Sequence, residues 1–205
     1  DVYVGGDLTG YELEFNGGYM FTQNHTPSQA GNGGYVEVHG NSNVMYMYGE
    51  GGTVAYASGD AGNAGEFSSW GFFSMSEYDA GLYLNGGQAI NGRCGDGGSL
   101  YAYSGMAIGN TFDLSGGSYY NDAGAHNGNG GYGGYVDCFG NATIDGDVYL
   151  YGGNCDANLG EYRAGEGGSF YVYGDLTVNG SVYLDGGDRT NATDGPNVQN
   201  GRYTD

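Results

Sequence analysis

Asp145 and Asp147, separated by one glycine, have the side chains that glycoside hydrolysis requires. That reaction uses two carboxyl groups inside a cleft, one of them an acid with a raised pKa. The Asp-Gly step at 145–146, however, is typical of a tight turn, and turns lie at the protein surface. An exposed turn provides neither the cleft nor the raised pKa, so we expect no hydrolytic site here and no enzymatic activity.

Two other motifs associated with ligand binding lack the context they need. Residues 128–133, GNGGYG, match the GxGxxG pattern of dinucleotide-binding loops, but 47 of the 205 residues are glycine and chance matches are expected. The segment also precedes a strand-like stretch and opens no helix, as the motif requires. His25, His39 and His126 are scattered without metal-ligand spacing. We therefore expect no organic cofactor and no resident transition metal.

The three cysteines leave at least one thiol outside any intrachain disulfide. Cys138 falls on the inward face of a predicted strand, where it serves as a small buried residue. Cys94 and Cys155 lie two repeat units apart, about 10 Å in stacking distance, which is too far for a direct bond. A bridge between Cys138 and Cys155 within one coil stays open.

Sequons for N-glycosylation occur at Asn24, Asn141, Asn179 and Asn191. Asn24 and Asn191 fall in expected loops, so they are the better candidates for modification. An intact mass equal to that of the bare chain would exclude it.

The charge balance excludes several classes of partner. The chain has four arginines, no lysine and a net charge of −20. Because phosphate binding needs clustered basic side chains, we expect no nucleic-acid partner. The same deficit disfavours anionic membrane surfaces, and no apolar run approaches the roughly 20 residues of a membrane span. Divalent cations and neutral glycans stay open as ligands.

A repeated unit organises the chain. Residues 133–153, GGYVDCFGNATIDGDVYLYGG, align without a gap with residues 167–187, GGSFYVYGDLTVNGSVYLDGG. Self-similarity at a period of this length is the sequence signature of a solenoid or an array. The units begin near residues 1, 35, 68, 99, 135 and 169, so residues 1–205 are predicted to form one repetitive domain.

Alternation inside each unit predicts β-strands. Val136 and Cys138 share one face of a predicted strand, and Tyr135 lies on the other. The Asp145-Gly146 and Asn179-Gly180 steps mark corners. No segment has the pattern of an amphipathic helix. We predict an all-β parallel β-solenoid of about six coils with Gly-rich loops, in which equivalent residues stack at about 4.8 Å.

Tyrosines on the outward face have three interpretations. Stacked rings stabilise neighbouring strands by roughly 0.2–1 kcal/mol per pair. They also suit lateral contact between neighbouring filaments, or stacking on sugar rings. The predicted surface ladder consists of Tyr3, Tyr35, Tyr101, Tyr135 and Tyr171.

The segment GGSFYVYGDLTVNGSVYLDGG resembles the Gly-rich repeats of secreted microbial β-solenoid surface proteins, of the parallel β-helix adhesin and autotransporter-passenger type. The resemblance covers most of the chain, but its motifs encode a coil and no reaction. It implies extracellular or cell-surface exposure and a structural or adhesive role.

Open coil ends at both termini suggest self-association. The first unit starts directly with strand residues, and the sequence near Asp205 followed by that near Asp1 reads as an ordinary unit boundary. Solenoid ends need caps, and a non-closing contact between copies extends indefinitely. A fragment of a longer solenoid, or a cap supplied by a partner, stays open. The predicted subunit junction comprises Asp1, Val2, Val4, Asp7, Phe170, Val172, Asp175 and Asp205.

A column of turn residues adds a candidate ion site at this junction. Asp7, Asn41, Asn141 and Asp175 have matching offsets in their units. In a stacked pair, Asp175 would lie near Asp7 of the next copy, and two close carboxylates repel unless a cation or a proton intervenes. Ca²⁺ is therefore a candidate ligand, although solvated turn residues explain the same pattern.

The sequence favours a structural subunit of an extracellular filament or matrix fibre that polymerises head-to-tail. The alternative is a monomeric adhesin or carbohydrate-binding module that uses the tyrosine ladder. A β-helix polysaccharide-degrading enzyme is a third alternative, disfavoured because such enzymes typically handle acidic substrates with basic residues.

Overall fold

The computed structural model describes residues 1–21, 28–75, 80–118, 128–156 and 163–190. This part of the chain contains 22 strands, numbered here in chain order, and no helix, and every strand pairing in it is parallel. The predicted all-β parallel β-solenoid is therefore confirmed. None of the described segments forms a helix that is long and apolar enough to cross a membrane.

The first face of the solenoid is a six-stranded sheet with one strand from each repeat unit. Its register aligns Val36 with Val2 below and with Phe67 above, so the inward positions form a continuous apolar column. The third unit enters this face at Glu66, two residues before the predicted start near 68. The strands are β1 (Val2–Val4), β5 (Tyr35–Val38), β8 (Glu66–Ser69), β12 (Ser99–Ala102), β15 (Tyr135–Cys138) and β19 (Ser169–Val172).

The second and third faces share one ten-stranded sheet. In the first two units a single strand runs along both faces, whereas in the last two the predicted corners at Asp145 and Asn179 divide it. The long strands are β2 (Leu8–Glu14) and β6 (Ser42–Tyr48). The second face adds β9 (Phe73–Met75), β13 (Met106–Ile108), β16 (Ala142–Ile144) and β20 (Leu176–Val178), and the third adds β10 (Gly81–Tyr83), β14 (Phe112–Asp113), β17 (Val148–Tyr149) and β21 (Val182–Tyr183).

The part of each unit between the third face and the next first-face strand, here called the third segment, was predicted to be a Gly-rich loop. Its first part instead carries short strands in two further sheets, and these cover two small apolar clusters around Val54 and Cys94. The strands are β3 (Met20–Phe21), β4 (Ser28–Gln29), β7 (Val54–Asp60), β11 (Ala89–Asn91), β18 (Cys155–Asp156) and β22 (Arg189–Thr190).

The main core lies between the first three faces. Val136, Ile144, Val148 and Leu150 are fully buried in it, as the alternation predicted. The first and last coils lie at the two ends of this core, because each has a neighbouring coil on one side only within the described residues. The stack therefore amounts to about four complete turns, slightly fewer than the six coils predicted.

A seam of glycines closes each coil between this core and the third segment. The amide of Gly117 donates to the carbonyl of Gly95, and the amide of Gly131 donates back to the carbonyl of Gly117. Each of these glycines also packs closely on the coil before it, so that a Cβ on Gly117 or Gly131 would lie within 3.0 Å of the backbone of Gly87 or Gly95, respectively. The same zigzag of hydrogen bonds, at 2.7–3.1 Å, continues through Gly18, Gly31, Gly52, Gly62, Gly87, Gly153, Gly165 and Gly187.

Candidate functional surfaces

The residues first considered for catalysis serve the stacking of coils. Asp145 Oδ1 accepts a hydrogen bond from Asn179 Nδ2 at 2.7 Å, and Asp147 Oδ1 accepts one from the Ser181 amide at 2.7 Å. The Tyr149 hydroxyl donates to the other oxygen of Asp147 at 2.9 Å. Each carboxylate thus binds groups of its own or the next coil, and the pair lies at a corner of the solenoid surface.

The other candidate motifs also have structural roles. Gly131 and Gly133 of the GxGxxG match donate backbone hydrogen bonds between and within coils. Cys94 and Cys138 are buried free thiols, so the bridge between Cys138 and Cys155 is not formed. No group of three or more His, Cys, Asp or Glu residues is arranged to hold a metal ion in the described ranges. Asn24, Asn191 and Asp205 lie outside the described residues.

The predicted tyrosine ladder faces outward, but it occupies two registers. Tyr3, Tyr101 and Tyr171 belong to one column, whereas Tyr35 and Tyr135 belong to the neighbouring one. Ring contacts run diagonally between the columns, with centroids 5.8 Å apart for Tyr3–Tyr35 and 5.7 Å for Tyr135–Tyr171. The third unit interrupts both columns with Glu66 and Ser68. The ladder therefore consists of a pair and a separate group of three.

A second aromatic column, which sequence reasoning missed, is more continuous. It takes the residue that follows each of the last four first-face strands: Trp70, Tyr103, Phe139 and Tyr173. Successive centroids lie 4.5, 5.2 and 5.0 Å apart, with planes within 16° of parallel. Their shared offset from the strands was the available signal, but three different residue types obscured it. Because the rings stack on each other, most of them present edges rather than faces to the solvent.

Glu37 links these two aromatic surfaces. Its Oε1 accepts a hydrogen bond from Trp70 Nε1 at 2.8 Å, and its Oε2 accepts one from the Tyr35 hydroxyl at 3.1 Å. His39 Nε2 lies 3.1 Å from Oε1. The hydrogen bond from Trp70 is the largest of the effects that hold the pKa of Glu37 below its ordinary value.

Asp137 occupies the same column three coils later. Its Oδ2 accepts a hydrogen bond from the Tyr135 hydroxyl at 3.2 Å. Its Oδ1 is the only buried side-chain oxygen or nitrogen of the described residues that lacks a hydrogen-bond partner. Buried carboxylate oxygens of this kind are uncommon in native proteins, and an ordered water or an ion is a usual partner for them.

The terminal coils expose residues whose equivalents are buried inside the stack. Leu184 is 37% exposed and Val182 is 40% exposed, whereas Leu150 and Val148, one coil earlier, are fully buried. At the other end, Val2 is 46% exposed and its partner Val36 is fully buried. Val4, Phe170 and Val172 pack partly against the main core. The predicted junction residues Val2, Val4, Phe170 and Val172 thus lie at two apolar end surfaces, to which Val182 and Leu184, not predicted there, also contribute.

The predicted turn column is in register, and its side chains point along the stack. Asp7 Oδ1 accepts a hydrogen bond from the amide of Asn41 at 2.7 Å, one coil later. Asn41 Oδ1 does the same with the amide of Phe72, and Asn141 Oδ1 with the amide of Asp175. Asp7 therefore turns towards its own second coil, not away from the chain. Whether Asp175 and Asp7 of two copies hold Ca²⁺ stays a prediction.

Comparison with protein families, with curated proteins and with solved structures finds no match to this chain. The fold and the surfaces described above therefore provide the basis for proposing a function.

Proposed function

We propose that this protein is a structural subunit of an extracellular filament that grows by head-to-tail stacking of its solenoid ends. The observation that carries the proposal is the exposure of Leu184, Val182 and Val2, whose equivalents one coil inward are fully buried. Covering such partly exposed aliphatic side chains contributes about 1 kcal/mol each.

The two ends fit each other because every coil follows the same plan. β19 is the outer strand of the first face at one end and β1 is the outer strand at the other. Placing β1 of a second copy on β19 continues the column that contains Phe170 and Val2. The contact uses different surfaces on the two copies, so it does not close and the stack continues.

Gly18 provides a steric test of this stacking. A Cβ on its equivalent in each later coil, such as Gly52 or Gly87, would lie within 3.0 Å of the carbonyl group one coil earlier. A Cβ on Gly18 meets nothing within 4 Å. Gly18→Ala is therefore tolerated in the isolated chain but would collide with Gly187 of a preceding copy.

The experiment compares the wild-type protein, Gly18→Ala and Gly10→Ala by negative-stain electron microscopy over a range of concentrations. Gly10 is the matched control, because it lies in the same first coil and also has open space around it. Its partner Val44 carries a buried side chain, so the stack accommodates a methyl group at this position.

Wild type and Gly10→Ala should form thin fibres with an axial repeat of about 29 Å, because each copy contributes six strands to the first face. Gly18→Ala should give short rods with an unchanged circular dichroism spectrum. Isolated rods of the wild type at every concentration, or equal fibres from all three proteins, would overturn end-to-end stacking.

The extracellular location and the likeness to microbial surface repeats are part of the proposal. They rest on the resemblance of the repeats. Surface labelling of intact source cells, compared with a lysate, tests them. Labelling confined to the lysate would contradict an extracellular role.

A monomeric, sugar-binding surface module is the second candidate. It is favoured by the exposure of Tyr171 and of Tyr173, the last ring of its column. Sugars stack on open ring faces, and Tyr173 has no ring above it among the described residues. Binding on a glycan array that Tyr101→Ala, Tyr135→Ala and Tyr171→Ala abolish, by rods that do not polymerise, would support this candidate.

A further inference from the structure

Side chains at the corners of the solenoid form hydrogen bonds of one consistent direction. Asn16 Oδ1 accepts from the amide of Glu50 at 2.8 Å, and Asn85 Oδ1 accepts from the amide of Ser115 at 3.0 Å. Thr53 Oγ1 and Asn154 Oδ1 follow the same rule with Gln88 and Asp188. In each case the acceptor side chain lies one coil before the amide that it binds. The solenoid therefore has an acceptor end and a donor end.

Three aspartates occupy the last positions of such columns. Asp175 follows Asn141 in the column of Asp7, and Asp188 follows Asn154. Asp185 is stacked on Tyr151 in the column that begins with Asn16, as the Gly152–Asp185 and Gly17–Glu50 backbone hydrogen bonds show. All three are exposed, and each has no later coil among the described residues to which it could bind.

The first coil supplies the matching amides. Asp7, Asn16 and Tyr19 are the first members of the same three columns, and no earlier coil precedes them in the described structure. In the later coils, the amides of Asn41, Glu50 and Gln88 at the corresponding positions each donate a hydrogen bond to a side chain of the coil before. A second copy of this chain is thus the ligand whose register matches all three carboxylates at once.

We infer that Asp175, Asp185 and Asp188 of one copy bind the backbone amides of Asp7, Asn16 and Tyr19 of the next copy. The inference rests on the proposed filament and defines the polarity of its junction. Hydrogen bonds from amides to carboxylates are charge-assisted. They also give an acceptor to amide groups that the junction would otherwise bury without a hydrogen-bond partner. Asp175 then faces an amide rather than the carboxylate of Asp7, so the junction forms without a bridging cation.

The experiment uses two triple variants that remove the same three charges. Asp175→Asn, Asp185→Asn and Asp188→Asn keep an acceptor oxygen at each position, as Asn141 and Asn154 have in the interior. Asp175→Ala, Asp185→Ala and Asp188→Ala remove it. Pelleting assays measure the critical concentration for polymerisation, and circular dichroism with thermal unfolding checks that the rods are folded.

The asparagine variant should polymerise within about threefold of the wild-type critical concentration, and the alanine variant should need at least about tenfold more protein. Traces of the alanine variant should also stop the growth of wild-type fibres at their acceptor end. The intact first coil of the variant can bind to that end, but the fibre then ends in a last coil that lacks the three carboxylates. Equal behaviour of the two variants, with normal wild-type fibres, would overturn this inference alone. Absence of wild-type fibres would overturn the filament and the junction together.

Discussion

Gly117 packs directly on the carbonyl group of Gly87, one coil earlier, with no room for a Cβ between them. Gly117→Ala would therefore force two backbones apart in the middle of the stack. Because the atoms of Gly86 and Gly87 that it meets are backbone atoms, we expect a loss of about 3 kcal/mol in the free energy of unfolding, the upper end of the usual cost of overpacking. Denaturant unfolding followed by circular dichroism measures this loss.

The control for this substitution is Gly10→Ala, at a position with open space. It should leave the unfolding midpoint almost unchanged, since neither glycine has a positive φ that would strain alanine. Equal stabilities for the two variants would mean that the seam can widen, and the glycines would then not define the coil.

The strands and their inward faces were predictable from the sequence, but the close backbone contacts of the glycine seam were not. Val136 and Cys138 alternate with Tyr135 in a way that fixes the inward face locally. The seam at Gly117 joins segments from different units and depends on distances that no local pattern encodes. The double glycines indicated a close backbone contact, but they did not show which carbonyl group would make it.

The outward tyrosines show a similar limit. Alternation within each strand placed Tyr35 and Tyr101 on the face opposite the buried Val36 and Leu100, because successive residues of a strand point to opposite faces. It could not say that they occupy different columns, since a shift of two residues preserves the face. Trp70 and Phe139 were missed because their column combines unlike residues at one shared offset.

Asn141 is the next position to test, because its side chain joins the fifth and sixth coils. Its Oδ1 accepts the Asp175 amide at 2.9 Å. Asn141→Ala should lower the free energy of unfolding by about 1 kcal/mol, since the amide loses its acceptor. Asn141→Asp should recover most of this, as Asp147 binds Ser181 in the same way. Thermal unfolding of both variants measures these changes in stability. If Asn141→Asp were no more stable than Asn141→Ala, the proposed role of the acceptor oxygen would be contradicted.

Trp70→Phe should change the pH dependence of stability through Glu37. The Trp70 hydrogen bond lowers the pKa of Glu37 from its ordinary value of 4.5. A lowered carboxyl pKa stabilises the folded state above the ordinary value, and this contribution is lost as pH falls through the folded pKa. The variant should thus be less stable at neutral pH, and part of that deficit should vanish in acid.

The control for Trp70→Phe is the same substitution in a Glu37→Gln background. There, the part of the pH dependence that Glu37 contributes should be absent, although the stacking of residue 70 on Tyr103 and its edge contact with His39 are still altered. Stability curves from pH 2 to 8 and the carboxyl chemical shift of Glu37 provide the measurement. A pH-dependent difference in the Gln background would assign the effect to another group.

Cys94 should resist alkylation in the folded protein. Burial is the largest effect that raises the pKa of its thiol to about 11. At pH 7 roughly one molecule in ten thousand then has a thiolate at this position, and the thiolate is the reactive form. Iodoacetamide followed by intact-mass measurement should find Cys94 unmodified in the native state and modified after unfolding. Rapid native labelling would mean that the third segment opens readily.

Salt and calcium should separate screening from a specific ion site at the junction. Copies that each have a net charge of −20 repel one another as they stack. Raising the ionic strength should therefore lower the critical concentration for polymerisation, since the Debye length falls to about 8 Å at 0.15 M. CaCl₂ and NaCl of equal ionic strength should act alike if Asp175 binds an amide of the next copy. A different result would place the cation between Asp7 and Asp175. In that case wild-type fibres would form only with Ca²⁺ and dissolve with chelator, whereas polymerisation of Asp7→Asn would respond to neither Ca²⁺ nor chelator.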